Sequence, residues 1–198
     1  MAGSGGTGKW RRLPVSSMPP LKDAARAFCP PYEVQEVAPW ALRITLSDTE
    51  GRRPNLVLTH RNVRRLFLKA NYLTVTSSVG GAGPEEDGEI TFKFRGWFSR
   101  QRASLRWTAA VSGGDEWLQR LEPPLLGAVR EVEAVQSLGI RWSANKKTWR
   151  LRLETMSGSM VSGITSMLPI AVPFDRKEAE GIISMIDTLV AIGRPLEG

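Results

Sequence analysis

One cysteine and one histidine are all that this chain of 198 residues offers of the two most versatile catalytic and metal-binding side chains. A lone Cys29, between Phe28 and Pro30, excludes an internal disulfide and a cysteine-built metal site, and it fits a reducing compartment, by default the cytoplasm. It reads as a small packing residue rather than a nucleophile. His60 has no Gly-x-Ser-x-Gly elbow to work with and lies in an Arg-rich stretch, so it reads as a surface residue. Long apolar runs are missing too. Leu13 to Phe28 is interrupted by Pro14, Pro19, Pro20, Lys22, Asp23 and Arg26, which does not make a signal peptide. Thr155 to Phe174 is uncharged, but its serines, glycines and prolines make it too polar to span a membrane, and it reads as buried strand or packed loop.

Acidic residues are absent from three long windows. Between Glu50 and Glu85 lie Arg52, Arg53, Arg61, Arg64, Arg65 and Lys69; between Glu89 and Asp115 lie Lys93, Arg95, Arg100, Arg102 and Arg106; between Glu133 and Glu154 lie Arg141, Lys146, Lys147, Arg150 and Arg152. Within a net charge of +7, this segregation points to a folded domain with a basic face and to anionic partners.

Motifs with specific chemistry are weak or incomplete. Gly3 to Lys9 has the spacing of a phosphate loop, but Met1 and Ala2 cannot supply the preceding strand and Trp10 stands where Mg²⁺ chemistry needs a hydroxyl. Glu85, Glu86, Asp87 and Glu89 are consecutive acids in a Gly-Pro loop. They have neither the opposed geometry of a two-carboxylate hydrolase nor a cation-loop pattern. No catalytic residue, metal site or cofactor is assigned.

Residues 1–20, rich in Gly, Ser and Pro with a small basic cluster, read as a flexible tail, and 21–198 as one domain. Leu21 to Phe28 predicts a short helix. Period-two alternation then recurs. Trp40, Leu42, Ile44 and Leu46 share one strand face with Arg43 and Thr45 on the other, and Leu73 and Val75 lie in a Thr-rich strand. Thr59 to Ala70 between them predicts a basic helix capped by Thr59.

Two hairpins follow one design. In the first, Ile90, Phe92 and Phe94 point in and Lys93 and Arg95 out, and after a turn at Ser99 to Arg102, Leu105, Trp107 and Ala109 point in and Arg106 out. In the second, Ile140 and Trp142 point in and Arg141 out; beyond a turn at Ala144 to Lys147, Trp149, Leu151 and Leu153 point in and Arg150 and Arg152 out. A helix follows each hairpin. The first, from Asp115, is expected to break at Pro123 and Pro124 and resume to about Gly139. The second starts on a capping box of Asp175 and Glu178, carries Ile182, Ile183, Ile186 and Leu189 on one stripe, and stops at Gly193. The two hairpin-plus-helix units make a candidate pseudo-repeat.

These elements specify an α+β fold, an antiparallel sheet of about six to seven strands with helices packed on one face. The other face carries the basic residues. The candidate anion-binding set is Lys93, Arg95, Arg106, Arg141, Arg150 and Arg152 on that face, Arg100, Arg102, Lys146 and Lys147 at the hairpin turns, and Trp97, which strand parity places among the cations, where an aromatic ring can stack on a base or sit at a lipid interface.

The leading expectation is a non-enzymatic binding module that engages an anionic macromolecule, either nucleic acid or an anionic membrane surface. The alternative is a homo-oligomer in which the basic layer of one copy meets the acidic helix layer of another, segment 115–133. A third reading is an enzyme or small-ligand pocket between sheet and helices, lined by Met156, Met160 and Met167, with carboxylates, Tyr32 and Tyr72 available.

Overall fold

A computed structural model describes residues 19–28, 32–46, 54–65, 68–93, 104–107, 114–132, 135–163 and 170–193. Helix α1 (Pro19–Arg26) is followed by strands β1 (Glu33–Ala38), β2 (Ala41–Thr45), β3 (Leu56–Arg65), β4 (Leu68–Gly80), β5 (Gly88–Lys93) and β6 (Ser104–Trp107). Helix α2 (Gly114–Val129), strands β7 (Val135–Ser143), β8 (Thr148–Gly163) and β9 (Ile170–Ala171), and helix α3 (Arg176–Ile192) complete the order. All pairings are antiparallel, in the order β1-β2-β3-β4-β8-β7-β5-β6, with β9 on β8. The fold is the expected α+β, an antiparallel sheet with helices packed on one face; among the described residues the sheet has nine strands, counting the two-residue β9 beside the main path.

Alternation decides which face is covered. Leu42 and Ile44, Leu56 and Leu58, Leu73 and Val75, Ile90 and Phe92, Leu138 and Ile140, and Leu151 and Leu153 are buried, while their sequence neighbours point the other way. Against the buried set lie Leu21, Ala24, Ala25 and Phe28 of α1 and its end, Leu121, Leu125 and Val129 of α2, and Ile182, Met185, Ile186 and Leu189 of α3. Asp175 caps α3 as foreseen: its side chain accepts from Glu178 N–H at 2.9 Å while Glu178 accepts from Asp175 N–H.

Four expectations need correction. Thr59 to Ala70 is not a helix. It comprises the second half of β3 and the start of β4, paired from Leu56↔Ser77 to Arg65↔Leu68. The inward positions here are polar, with His60 and Asn62 continuing the line of Leu56 and Leu58, so the two-residue hydrophobic signal disappears where hydrogen bonds replace apolar contacts. Asn62 donates to Asn71 across the pair at 2.9 Å. Helix α2 does not break at Pro123 and Pro124 but runs through them. Both prolines are exposed, and Leu121, Leu125 and Val129 hold the flanking turns to the core. This helix ends at Val129, so Gly139 is the middle of a strand rather than a stop signal. Trp40 lies in the turn between β1 and β2, half-buried, and not on a strand face.

Strand β8 carries one interruption. Asn71 pairs with Met160 and Leu73 with Thr155, so β8 bulges between them. Gly158 in the bulge has φ +71, and a Cβ there would lie 2.9 Å from Leu73 Cδ2 and 3.1 Å from Ala24 Cβ. Only glycine satisfies both the backbone and that packing.

Candidate anion-binding face

The face opposite the helices is best described in rows across the strands. One unbroken row runs Gln35, Arg43, Val57, Thr76, Arg152, Gly139, Thr91, Arg106 through all eight strands of the main path. The row on one side contains Ser78, Arg150, Arg141 and Glu89; on the other side Thr59, Thr74, Glu154, Ser137, Lys93 and Ser104 follow one another. No described helix packs here.

Of the residues singled out from sequence, Arg141, Arg150 and Arg152 are exposed on this face, and the register assigns the positions of Lys93 and Arg106 to it. Lys146 and Lys147 are exposed in the β7–β8 turn, where Lys147 takes φ 46 and Asp87 accepts from Ala144 N–H at 2.8 Å. Arg95, Trp97, Arg100 and Arg102 lie outside the described residues.

Arg141 and Arg150 face each other across β7 and β8, and neither forms an ion pair among the described residues. Two guanidiniums in this position repel. Arg152 differs: its Nη2 donates to Glu154 Oε1 at 2.8 Å, and Arg61 Nη1 reaches the same carboxylate at 2.7 and 2.8 Å. Glu154 is only 5% exposed, so a buried carboxylate ties two partly exposed arginines together.

Sequence reasoning missed Arg61, because the helix assigned there hid its strand parity, and Glu154, which stands one residue past the acid-free window. Arg43 had the alternation that marks it but no hairpin partner to draw attention to it.

On the covered face, Trp149 packs at a tilt of about 41–44° against Trp142 (centroids 4.8 Å apart) and Trp117 (5.8 Å), and the two strand indoles donate to Ala82 O and Pro84 O. Between α1 and α3 an open groove of about 520 Å³ is lined by Phe28, Tyr32, Ile183 and Asp187. It is not the methionine-lined pocket expected: Met156 and Met160 are half-buried on β8, and Met167 lies outside the described residues. No group of three acidic, His or Cys side chains suited to a metal occurs among the described residues.

His60 is not the surface residue expected. It sits on the covered side, with Nε2 2.9 Å from Gly158 O, and burial lowers its pKa below the ordinary 6.5, opposed in part by that hydrogen bond. A lowered folded-state pKa means the unfolded chain takes up the proton first as pH falls. This contribution to stability is therefore complete above pH 6.5 and is lost progressively below it. Urea midpoints measured from pH 7.5 to 5 should fall for the wild type, and His60→Gln should flatten that slope.

Among the described residues the architecture is thus an antiparallel sheet with helices on one face and none on the other, which carries Arg43, Arg61, Arg141, Arg150 and Arg152. The chain belongs to the DUF3156 family, described as protein of unknown function, which it matches over residues 29–192. No curated protein and no solved structure matches it.

Proposed function

We propose that this protein is a non-enzymatic binding module whose open sheet face engages the phosphates of a single-stranded nucleic acid. The observation that carries the reading is the opposed pair Arg141 and Arg150, exposed and without an ion pair among the described residues, near the β7–β8 turn on a face that also holds Arg43, Arg61 and Arg152. Repulsion of that kind is relieved when an anion lies between the charges. Across β2 to β8 the acids sharing the outward parity are Glu89, in register with Arg141, and Glu154, which is bound to Arg61 and Arg152.

An anionic membrane offers the same charge. Nucleic acid is favoured because the large apolar side chains exposed among the described residues, Val34, Val37 and Ile170, lie on β1 and β9 and not beside Arg141 and Arg150 on β7 and β8. Among the described residues no helix is long and apolar enough to cross a membrane. Docking of a second copy through its helix layer is less favoured, since Glu131 there meets Lys177 at 3.4 Å within the same chain.

Titration of labelled single-stranded DNA, single-stranded RNA and anionic vesicles at several salt concentrations tests the reading. For single strands the logarithm of affinity should fall with the logarithm of salt at about −0.7 per phosphate contacted, so about four contacts give a slope near −3. Binding to neither nucleic acid sinks the proposal. Preference for vesicles transfers the face to a membrane.

A further inference from the structure

Strand β1 closes one end of the sheet, paired with β2 and, among the described residues, with no strand on its other side. Its outer edge is bare. Glu33 to Val37 are all exposed, and Val34 and Val37, at 37% and 38%, are two of the three large apolar side chains that the described residues leave in solvent. An outer edge presents unpaired N–H and C=O groups at alternate residues, a template for a further strand that lysine, proline or a bulge commonly guards. β1 has no lysine and no proline, and its register with β2 is regular from Glu33 to Glu36, shifting only between Glu36 and Ala38. What it does have is negative charge. Glu33 and Glu36 are exposed and form no ion pair among the described residues.

Alternation sets where those charges point. Val34 is paired with Ile44 and Glu36 with Leu42, both buried on the helix side, whereas Glu33 is paired with Thr45 and turns to the opposite side. The edge also leads into a cavity: Tyr32, the residue before β1, lines the groove of about 520 Å³ between α1 and α3, whose apolar floor is Phe28, Ala179 and Ile183. A strand laid along β1 therefore has a carboxylate on each side of the sheet and an apolar hollow at one end.

We infer that this edge receives a basic, extended peptide segment of a partner protein, which adds to the sheet as an outer strand with cations three residues apart on Glu33 and Glu36 and one bulky apolar side chain in the groove. The charges choose this occupant. A second copy of β1 would bring two pairs of carboxylates to one seam with no cation on either strand, and like charges so placed repel. A basic strand meets both carboxylates with opposite charge. The surface is separate from Arg141 and Arg150, which lie on β7 and β8, so it stands whether or not those arginines take phosphate.

Fluorescence anisotropy of a labelled peptide, two lysines three residues apart among valines and threonines with a tryptophan near one end, tests the proposal on the full chain. The net charge of +7 repels such a peptide at long range, so attraction has to come from the edge itself. Replacing the peptide's lysines by glutamate, or placing a proline at its centre, should weaken binding at least about tenfold, through charge in one case and lost strand pairing in the other. On the protein, Glu33→Lys with Glu36→Lys should cost at least about tenfold in affinity, while the charge-matched Glu85→Lys with Glu86→Lys, exposed between β4 and β5, should stay within about twofold. Ser184→Trp fills the groove from an exposed position of α3 without altering charge and should cost at least about fivefold. No binding of the lysine peptide, equal binding of its glutamate or proline version, or wild-type affinity in either the Glu33→Lys, Glu36→Lys variant or Ser184→Trp overturns the proposal. So does a wild-type dimer in sedimentation velocity that Val34→Asp abolishes, which gives the edge to a second copy. Tighter peptide binding after Lys9→Glu, Arg11→Glu, Arg12→Glu overturns it as well, since the chain's own first residues would then be the occupant.

Discussion

The double charge reversal Arg141→Glu, Arg150→Glu is expected to weaken binding of a single-stranded oligonucleotide by about two to four orders of magnitude. A hydrogen bond to a charged group contributes about 1.5–3 kcal/mol, and removing two of them amounts to about 3–6 kcal/mol, with 1.4 kcal/mol per tenfold. Reversal adds repulsion to that effect, and the salt slope should shrink by about 0.7 for each phosphate released. Folding should be little affected. Both side chains are exposed and form no ion pair among the described residues, and surface changes of this sort stay within about 0.5 kcal/mol. The matching control is Lys22→Glu, Arg130→Glu, which alters net charge equally but at exposed positions in α1 and just beyond the end of α2. Binding in the control should drop only modestly. Equal losses of affinity in the two variants would show that net charge, and not this face, is responsible.

Strand parity carried most of what could be read ahead of the structure. In the second hairpin Trp142↔Trp149, Ile140↔Leu151 and Leu138↔Leu153 meet as buried pairs, which places Arg141 opposite Arg150 on the far face as a geometric necessity. The capping box of α3 was legible for a similar reason, since its chemistry is confined to four consecutive residues. Failures came where a distant element supplied what local pattern could not. His60 and Asn62 face the covered side because Gly158, 98 residues from His60, and Asn71 offer hydrogen bonds there. Prolines stay within α2 because the core side of the helix is held by apolar packing that no local rule registers. The same limit hid Glu154. Its grip on Arg61 joins residues 93 apart, and only the order β3-β4-β8 brings them together.

Trp149→Ala is expected to be the most damaging single substitution in the described core. The indole is fully buried, lies 4.8 Å from the Trp142 ring and 5.8 Å from that of Trp117, and donates from Nε1 to Ala82 O at 2.8 Å. Truncating a buried tryptophan costs about 3–5 kcal/mol, against a total stability of about 5–15 kcal/mol. Leaving the Ala82 carbonyl without its donor adds to that unless water reaches it. For a chain of this length about 2–4 °C of melting temperature is lost per kcal/mol, so a fall of about 6–20 °C is expected in a thermal melt followed by circular dichroism. Trp149→Phe separates the two contributions, because it keeps an aromatic ring beside Trp142 and Trp117 but cannot donate to Ala82; its destabilisation should be clearly smaller than that of alanine. Equal destabilisation would assign the effect to the hydrogen bond that fastens the 81–87 loop over the hairpin. A shift below about 2 °C for Trp149→Ala would mean that the indole cluster is not part of the cooperative core.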